Sequence, residues 1–452
     1  MKTAIVLVLC LASLCGLSSA AEPPHIVFVL ADDMGLGDVG CYGGTMAQTP
    51  HLDRLAKEGT RFTRYYSASP ICSPSRCGLI TGQFPARWHI TSFLQTRAGN
   101  RQCEQSDYLD VNAPSLPRVL KSAGYATAHV GKWHLGGGRD VVEPPKFSAY
   151  GYDLGLGTYE SPEPAEGLGL KSVPWGKEIE PQQVARHDRT RWMVDETLAF
   201  LNKNSGRLCF VNLWLDDTHT PWIPKVPAGE AGRDRDKLAA VIVELDRQLG
   251  RLMDGVPDNT LLIFATDNGA LPTFQGERST GLRGSKLSLY EGGTRLPFLA
   301  RWPGHVPAGR VDDTTVLTAV DMLPTLTAIA GAKLFDNDSP DGVDVSRALL
   351  GESIPRWKPI FWEYGRNDQS FSYPNGRDRS PNLAMRDGRW KLLINADGTR
   401  AELYDLLADP NESRNLADSN PDVAAKMKEA LLTWRRSLPK LPDKNNTPSG
   451  GN

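Results

Sequence analysis

The residues best suited to covalent chemistry lie in the run Cys72-Ser73-Pro74-Ser75-Arg76. This C-x-P-x-R spacing is the pattern that cysteine-modifying enzymes read when they oxidise a cysteine to Cα-formylglycine. An aldehyde held as its gem-diol has one hydroxyl to attack a poor electrophile and a second that expels the transferred group as the aldehyde re-forms. The motif therefore predicts a covalent nucleophile at position 72. The alternative is a buried cysteine that precedes an ordinary helix.

Four oxygen-bearing side chains suit a hard divalent cation. Asp32 and Asp33 supply carboxylates early in the chain, while Asp267 and Asn268 supply a carboxylate and an amide carbonyl far downstream. With the diol at position 72 or substrate oxygens completing the shell, such an ion acts as a Lewis acid. The oxygen-rich set favours Ca²⁺ over Mg²⁺, and the absence of thiolate or paired-histidine ligands argues against zinc.

Five further residues are candidates for holding an anion and moving protons. Arg76 lies one helical turn beyond the nucleophile, on a helix predicted to begin near Pro74. Lys132 and Lys286 are candidate point charges for substrate oxygens, and His134 and His219 are candidates for proton transfer. A lone lysine is usually solvated and a lone histidine is usually structural, so their assignment depends on where the fold places them.

The elements that position these residues follow an alternating pattern. Apolar runs at 25–30, 126–130, 208–215 and 261–265 predict buried strands that end just before the candidate residues. Helical patterns lie between them, for example the one that Thr49-Pro50 opens. Strands that alternate with helices predict an α/β fold with a mostly parallel sheet sandwiched by helices, whose carboxyl edge binds ligands.

From about residue 355 the pattern changes. Strand-like segments at 359–364, 383–386, 390–394 and 402–406 follow one another through Gly and Asp turns, and a last helix runs from about 421 to 437. We therefore predict a catalytic domain over 21–354, a smaller C-terminal antiparallel sheet plus helix over 355–440, and a disordered tail over 441–452.

The N-terminus has the features of a secretory signal peptide. Lys2 is followed by an apolar run and then by small residues up to Ala21, so residues 1–20 are predicted to be removed. The run is too short to cross a bilayer, and the sequence contains no other candidate membrane span. We expect an exported protein that is periplasmic or extracellular.

The cysteines and the net charge limit which disulfides and which binding partners are possible. Apart from position 72 and the signal peptide, four cysteines remain: Cys41, Cys77, Cys103 and Cys209. Three disulfide pairings are possible in an oxidising compartment, and unpaired buried thiols fit equally well. The formal net charge is −2, with no basic stretch that would bind nucleic acid or anionic lipid.

In order along the chain, the motifs resemble those of the formylglycine-dependent type I sulfatases (arylsulfatase-like) of the alkaline-phosphatase superfamily. The resemblance rests on Ala31-Asp32-Asp33 with Gly35 and Gly37, Cys72 to Gly82, Gly131-Lys132-Trp133-His134-Leu135-Gly136, His219-Thr220-Pro221, Thr266-Asp267-Asn268-Gly269, Lys286, Glu291-Gly292-Gly293-Thr294-Arg295-Leu296-Pro297 and Leu403-Tyr404-Asp405-Leu406.

The resemblance implies an alkaline-phosphatase-like fold and specific roles. Its calcium shell would be Asp32, Asp33, formylglycine 72, Asp267 and Asn268. Arg76 and Lys132 would hold the formylglycine, His134 would help the diol collapse, and Lys286 and His219 would contact the sulfate. The family often carries a second histidine near His219, where this chain has Trp222. A formylglycine-generating enzyme is the implied maturation partner.

Two other functions compete with a sulfatase. A phosphomonoester or phosphonate hydrolase of the same superfamily would favour a second metal, and ligands for only one are evident. An inactive glycan-binding homologue would not need every reactive position to be filled, as it is here. Export and the aromatic residues Trp88, Trp175 and Trp222 favour a sulfated carbohydrate or other sulfated small molecule as substrate. His89, Arg101, Arg139 and His187 are weaker candidates for substrate contact.

Overall fold

A computed structural model describes residues 22–163, 184–225, 232–367, 370, 374 and 376–440. The predicted signal peptide, the predicted tail and Trp175 lie outside the described residues. No helix in the described part of the chain is long and apolar enough to cross a membrane.

A mixed, mostly parallel sheet forms the centre of the described structure. Its nine strands are β1 (His25–Ala31), β2 (Thr60–Tyr66), β3 (Ala126–Gly131), β4 (Leu154–Gly157), β5 (Cys209–Leu215), β6 (Thr260–Thr266), β7 (Arg295–Arg301), β8 (Arg310–Asp312) and β9 (Leu317–Thr318). The order is β4-β3-β5-β1-β6-β7-β2-β8, and β9 also pairs with β2. Only β7 runs antiparallel to its neighbours β6 and β2. The predicted α/β fold class is confirmed.

Helices cover both faces of this sheet. They are α1 (Pro50–Glu58), α2 (Cys72–Thr81), α3 (Arg97–Gln102), α4 (Leu116–Ser122), α5 (Arg189–Lys203), α6 (Asp234–Gly255), α7 (Glu291–Thr294), α8 (Met322–Ile329) and α9 (Ser346–Leu349). Along β1, Phe28 and Leu30 belong to one core cluster and Val27 and Val29 to another. Because side chains alternate along a strand, both faces of β1 are buried, as expected for a central parallel strand.

The smaller sheet contains four antiparallel strands. They are β10 (Ile360–Glu363), β11 (Leu383–Asp387), β12 (Trp390–Ile394) and β13 (Glu402–Asp405), followed by helix α10 (Pro421–Ser437). Side chains from this sheet, including Trp362 and Leu403, belong to the same core cluster as Phe28. The second sheet therefore packs on the first through a continuous apolar core.

Two local predictions differ from the structure. Helix α2 begins at Cys72 rather than near Pro74. A proline fits in a first turn because the N–H groups there have no partner within the helix. Thr49 is the N-cap residue of α1, but its Oγ1 accepts a hydrogen bond from the Gly40 N–H at 2.8 Å rather than from an N–H of the helix.

The cysteine alternatives are resolved in favour of thiols. Cys41, Cys77 and Cys209 are free in the structure, and Cys103 Sγ accepts a hydrogen bond from Gln95 at 3.4 Å. Burial raises the pKa of the Cys41 thiol to about 12 and that of Cys209 to about 11. These side chains therefore behave as small apolar groups rather than as nucleophiles.

A buried charge cluster connects the two sheets. Lys391 on β12 lies 2.9 Å from Glu291 on α7 and 3.1 Å from Glu412, and all three side chains are inaccessible to solvent. Glu412 also accepts a hydrogen bond from the Glu291 N–H at 2.6 Å, and Glu291 accepts one from the Tyr66 hydroxyl at 2.7 Å. One ammonium thus compensates two buried carboxylates.

Replacing Lys391 by Met should destabilise the protein severely. The change leaves both carboxylates buried without their cation, which typically costs about 3–5 kcal/mol. Urea unfolding followed by fluorescence measures the loss. Lys121→Met is the matched control, because Lys121 pairs with Asp153 at the surface, and it should cost less than about 1 kcal/mol. Equal losses in the two variants would contradict the proposed role of the cluster.

Candidate functional site

Strand register brings the candidate residues to one edge of the central sheet. Ala31, the last residue of β1, is aligned with Thr266 on β6 and with Leu215 on β5. Gly131 at the end of β3 is aligned with Trp214. The residues that follow these strands therefore emerge side by side, at the carboxyl edge where α/β sheets bind ligands.

Three carboxylates form the centre of the site. One oxygen from each of Asp32, Asp33 and Asp267 lies within 4.8 Å of the others, and all three side chains are buried. Asp267 Oδ1 accepts a hydrogen bond from the Asp33 N–H at 3.2 Å. Asn268 Nδ2 donates to Asp33 Oδ1 at 2.7 Å, while Asn268 Oδ1 is buried without a hydrogen-bond partner. Three carboxylates and an orphaned amide oxygen are the donors that a hard divalent cation requires.

Three cations face these carboxylates. Lys132 Nζ lies 2.5 Å from Asp32, and Lys286 Nζ lies 2.7 Å from both oxygens of Asp33. Arg76 donates to Asp267 Oδ2 through Nη2 at 2.7 Å and through Nε at 3.0 Å. Three formal negative charges are thus balanced by three positive ones. A divalent cation added to this set would give the site a net positive charge that favours an anion.

The carboxylates are not electrostatically equivalent. Burial acts to raise the pKa of Asp32, but the opposing charges of Lys132, His219 and Arg76 hold that pKa well below its ordinary value. For Asp267, burial and the neighbouring Asp32 charge raise the pKa to about 7. The clustered negative charge that raises this pKa is the feature that a bound cation would relieve.

Cys72 lies against this cluster at the first turn of α2. Its Sγ is 3.6 Å from Asp32 Oδ1 and 3.6 Å from Lys286 Nζ. Burial raises the pKa of its thiol to about 12, so an unmodified Cys72 would be a poor nucleophile at neutral pH. Ser75, on the same helix, donates from its hydroxyl to the Asp267 carbonyl. The position suits a reactive group, but the thiol itself does not.

His134 is positioned to accept a proton. Its Nε2 lies 3.1 Å from the Leu94 carbonyl, which can only accept, so Nε2 carries the hydrogen and Nδ1 keeps its lone pair. Nδ1 is buried without a partner. Burial and the charges of Lys132 and Arg76 hold the pKa of His134 well below its ordinary value, so the ring is neutral at pH 7.

His219 lies beside Asp33 and close to Cys72. Its Nε2 is 3.6 Å from Asp33 Oδ2, and its Nδ1 donates to the Thr220 carbonyl at 2.8 Å. Burial and the Lys286 charge lower the pKa of His219 to about 4. Both histidines are therefore at the site that the sequence predicts.

Arg76 was expected to hold the group at position 72. Its guanidinium holds Asp267 and donates to the Lys132 carbonyl at 2.8 Å, and its charge also reaches Cys72. Its centre lies 5.1 Å from the Trp214 ring. Arg76 thus connects the ends of β3 and β6, and it acts on the cysteine through the carboxylate cluster.

The aromatic residues expected to line a sugar pocket do not all do so. Trp222 is buried: its Nε1 donates to the Thr218 carbonyl at 2.9 Å, and its ring packs 5.8 Å from that of Phe274. Trp88 is half-buried, with its Nε1 bonded to Gln83 at 3.1 Å. Both indoles therefore stabilise their own loops.

Among the weaker substrate candidates, only Arg139 is next to the site. It pairs with Glu160 at 2.6 Å and donates to the Tyr159 hydroxyl at 3.1 Å, while the Tyr159 ring packs edge-on against His134. Burial raises the pKa of Glu160 to about 7. Arg139 and Glu160 therefore form one wall beside His134.

Sequence reasoning missed the ion pair that fixes the Asp32-Asp33 turn. Arg278 donates to both oxygens of Asp38, at 2.8 to 3.1 Å, and to the Asp33 carbonyl at 2.7 Å. Asp38 also accepts from the Gly35 N–H at 3.0 Å. A Cβ at Gly35 would lie 2.1 Å from the Arg278 carbonyl, so only glycine permits this approach. That steric requirement at Gly35 is the one signal that could have revealed the pair.

The turn also carries backbone strain. Asp33 has φ 56°, in the left-handed region that residues with a side chain rarely adopt. Such a conformation persists when surrounding contacts fix it, and Arg278 and Asp267 bind the carbonyl and the N–H of the same residue.

Comparison with known proteins identifies relatives along almost the whole chain. Residues 24–332 match the family described as Sulfatase, and residues 285–437 match the family described as N-sulphoglucosamine sulphohydrolase, C-terminal. An N-acetylgalactosamine-6-O-sulfatase of Bacteroides thetaiotaomicron is 29% identical, with 91% of this chain and 93% of the relative covered. Human arylsulfatase A is 31% identical, with 92% and 88% covered.

A solved structure shows the same architecture. The crystal structure of Ps i-CgsB in complex with k-i-k-neocarrahexaose is 28% identical and superposes with a TM-score of 0.74. The alignment covers 93% of this chain and 94% of that one.

Arg278→Lys tests whether the contacts of Arg278 with Asp38 and with the Asp33 carbonyl are needed to hold the turn that carries Asp33. Lysine keeps the charge but cannot hold Asp38 and the Asp33 carbonyl together, so affinity for a divalent cation should fall about 10- to 100-fold. Isothermal titration with calcium measures this affinity. Arg356→Lys is the control, because Arg356 forms a comparably buried pair with Asp321 at 2.6 Å without contacting the carboxylates. An equal loss in both variants would argue against a specific effect.

Proposed function

Since this chain belongs to the sulfatase family and is a sulfatase, we propose that it removes sulfate from a sulfated carbohydrate, using a Cys72-derived formylglycine and a calcium ion. The observation that carries the proposal is the position of Cys72 Sγ, 3.6 Å from both a carboxylate oxygen of Asp32 and the ammonium of Lys286. The nucleophile, a cation site and a positive charge for the substrate thus meet at one point.

Asp32, Asp33, Asp267 and Asn268 would hold the calcium ion. The residues fit the ion because the carboxylate oxygens converge within 4.8 Å and Asn268 Oδ1 has no other partner. Bound calcium supplies Lewis acidity that withdraws charge from a sulfate ester. The bound ion would neutralise part of the carboxylate charge that now faces Lys132, Lys286 and Arg76. These three cations could then attract the anionic substrate.

Formylglycine at position 72 supplies a diol with one hydroxyl to attack sulfur and another to expel sulfate. The protein orients that group from three directions. Helix α2 places it at a helix N-terminus, which favours negative charge. Lys286 lies on one side of it and Asp32 on the other. Arg76 fixes Asp267 behind it.

The histidines divide the proton transfers. His134 accepts a proton through its free Nδ1 lone pair, as the last step of sulfate release requires. His219 lies beside Asp33, and in its doubly protonated form it would donate a proton from Nε2 to the oxygen of the leaving alcohol. Because its Nδ1 is bonded to the Thr220 carbonyl, Nε2 is the nitrogen that faces the substrate.

A sulfated carbohydrate is the proposed substrate class. Its support comes from the names of the relatives, among them an N-acetylgalactosamine-6-O-sulfatase, and from the solved relative in complex with a neocarrahexaose. A phosphate monoester is dianionic and favours a second metal. Both candidate metal clusters in the described residues share Asp32, so they represent one centre, which favours the monoanionic sulfate ester.

Maturation and export follow from the same proposal. A formylglycine-generating enzyme would act on Cys72, and since Cys72 is inaccessible in the fold, it would act on the chain before folding. The N-terminal residues have the pattern of a signal peptide, which would deliver the enzyme to the periplasm or the exterior.

The proposed function is tested with protein purified from its native host. A tryptic peptide that contains position 72 should show the mass of the aldehyde, and ion chromatography should detect sulfate released from a panel of defined sulfated mono- and oligosaccharides. Cys72→Ala should release none, and chelation of calcium should abolish release by the wild type. An unmodified thiol in a fully active enzyme would refute the mechanism, and activity on phosphate monoesters alone would refute the substrate class.

The two histidines should fail in different ways. With an activated aryl sulfate, His134→Ala should liberate about one equivalent of the phenol and then stop, because sulfate release needs its proton acceptor. His219→Ala should slow the first equivalent, and the loss should be greatest for poor leaving groups. Stopped-flow absorbance at equal enzyme concentrations separates the two. Identical kinetics in both variants on good and poor leaving groups would show that the roles are not divided.

A further inference from the structure

A cavity that is separate from the catalytic carboxylates lies between the two sheets. Its volume is about 260 Å³, and none of the residues around it belongs to the carboxylate cluster. The lining residues come from β2, from the segments after β8 and before β10, and from the end of β11 with the turn to β12. Those with a positive charge are Arg64, Arg356, Lys358, Arg386 and Arg389. No aspartate or glutamate of the described residues lines it.

Two of the five positive charges are already compensated. Arg356 holds Asp321 through two nitrogens, at 2.6 and 3.1 Å, and Arg389 pairs with Asp405. These contacts explain why both side chains lie where they do. They leave three cations at the cavity to be accounted for.

Those three cations lack an acidic partner among the residues that the structure describes. Lys358 Nζ is 3.5 Å from the carbonyls of Pro340 and Gly342, and Arg386 Nε is 3.3 Å from that of Gly388. Arg64 forms no ion pair or hydrogen bond in the described part of the chain. Backbone carbonyls satisfy some donors, but they do not neutralise charge.

The burial of Arg386 makes its uncompensated positive charge unfavourable for the stability of the fold. The side chain is only 3% exposed, and its Nη1 is buried without a hydrogen-bond partner. Its guanidinium lies 4.6 Å from the Tyr66 ring. The charge of Glu291 reaches Arg386, but Glu291 already accepts from Tyr66 and Lys391. A buried charge without a counter-charge is unfavourable, so proteins rarely keep one without a ligand.

Arg64, next to Arg386 at the cavity, also forms no ion pair among the described residues. Arg64 is half-buried, and burial together with the nearby Arg386 charge lowers its pKa. The charge of Asp313 acts in the opposite direction without reversing this shift. Two guanidinium groups that repel each other across a cavity bind an oxyanion well, because each presents a planar array of donors to the anion's oxygens.

We propose that this cavity is a binding site for a tetrahedral oxyanion, with Arg64, Lys358 and Arg386 as its ligands. The anion is either free inorganic sulfate or phosphate, or a sulfate group on a glycan chain. The cavity exceeds the volume of a few water molecules, at about 30 Å³ each, so it has room for such a group. The site is independent of the proposed reaction at Cys72.

Selenate localises the site, because it is a tetrahedral oxyanion with an anomalous X-ray signal. Crystals of the full-length mature enzyme soaked in selenate should show an anomalous peak between Arg64 and Arg386. In solution, isothermal titration of the wild type with inorganic sulfate should detect one equivalent more than titration of Arg64→Gln or Arg386→Gln. Each variant should bind at the cavity at least about tenfold more weakly, since each loses charged hydrogen bonds.

Arg61→Gln is the matched control. Arg61 lies on the same strand with similar exposure and no ion pair, contacts the Tyr42 ring at 5.3 Å, and does not line the cavity. It should bind the full number of sulfate equivalents. Arg64→Gln removes no hydrogen bond or ion pair among the described residues, so it should fold even if the buried Arg386→Gln does not, and thermal melts check this.

The two sources of the anion give different kinetics. If a glycan sulfate occupies the cavity, Arg64→Gln should raise KM for a sulfated oligosaccharide about tenfold while KM for a small aryl sulfate is unchanged. If the ligand is free anion, the extra sulfate equivalent is lost and both KM values are unchanged. The proposal is overturned if the wild-type cavity shows no peak, if the peak appears without a matching equivalent in solution, or if Arg64→Gln binds as many equivalents as the wild type.

Discussion

The structure depends on balancing three buried carboxylates with three buried cations at the edge of a parallel sheet. Asp32, Asp33 and Asp267 would repel one another severely in a low-dielectric interior without Lys132, Lys286 and Arg76. The charged residues follow β1, β3 and β6 or lie on α2 and in the loop before α7. The balance therefore exists only when the strands are in register and α2 packs beside them. The chemistry and the topology therefore impose the same constraint, and the site can be assembled before a metal ion arrives.

Contacts behind the charged groups keep this balance in one geometry. Arg278 holds the Asp33 carbonyl, the Thr218 hydroxyl donates to the Asp32 carbonyl at 2.5 Å, and Ser75 donates to the Asp267 carbonyl. Each contact binds a backbone oxygen and leaves the carboxylate oxygens free to face the centre. Fixed backbones would let the carboxylates exchange their partners, from lysine to a divalent cation, without a change of fold.

The sequence predicted the strands well because both faces of a central parallel strand are buried and give continuous apolar runs. It also predicted which side chains meet, since Asp32, Lys132, His219 and Asp267 all follow such runs. It did not predict that Arg76 holds Asp267, because the two residues are 191 positions apart and no local pattern marks such a pairing. The ion pair of Arg278 with Asp38 joins residues 240 positions apart, and its one local trace is the close approach at Gly35.

Three groups of buried charge in this protein differ in what completes them. In the cluster around Lys391, the ammonium lies within ion-pair distance of both carboxylates, so the protein itself supplies the opposite charge. The catalytic cluster is balanced in charge yet keeps Asn268 Oδ1 and His134 Nδ1 unpartnered, which are the atoms that a cation and a proton need. The cavity at Arg386 is lined by five cations and by no carboxylate of the described residues. Burying a polar group without a partner lowers the stability of the folded protein. A buried group of this kind therefore indicates a place where the protein binds an ion, a proton or a ligand.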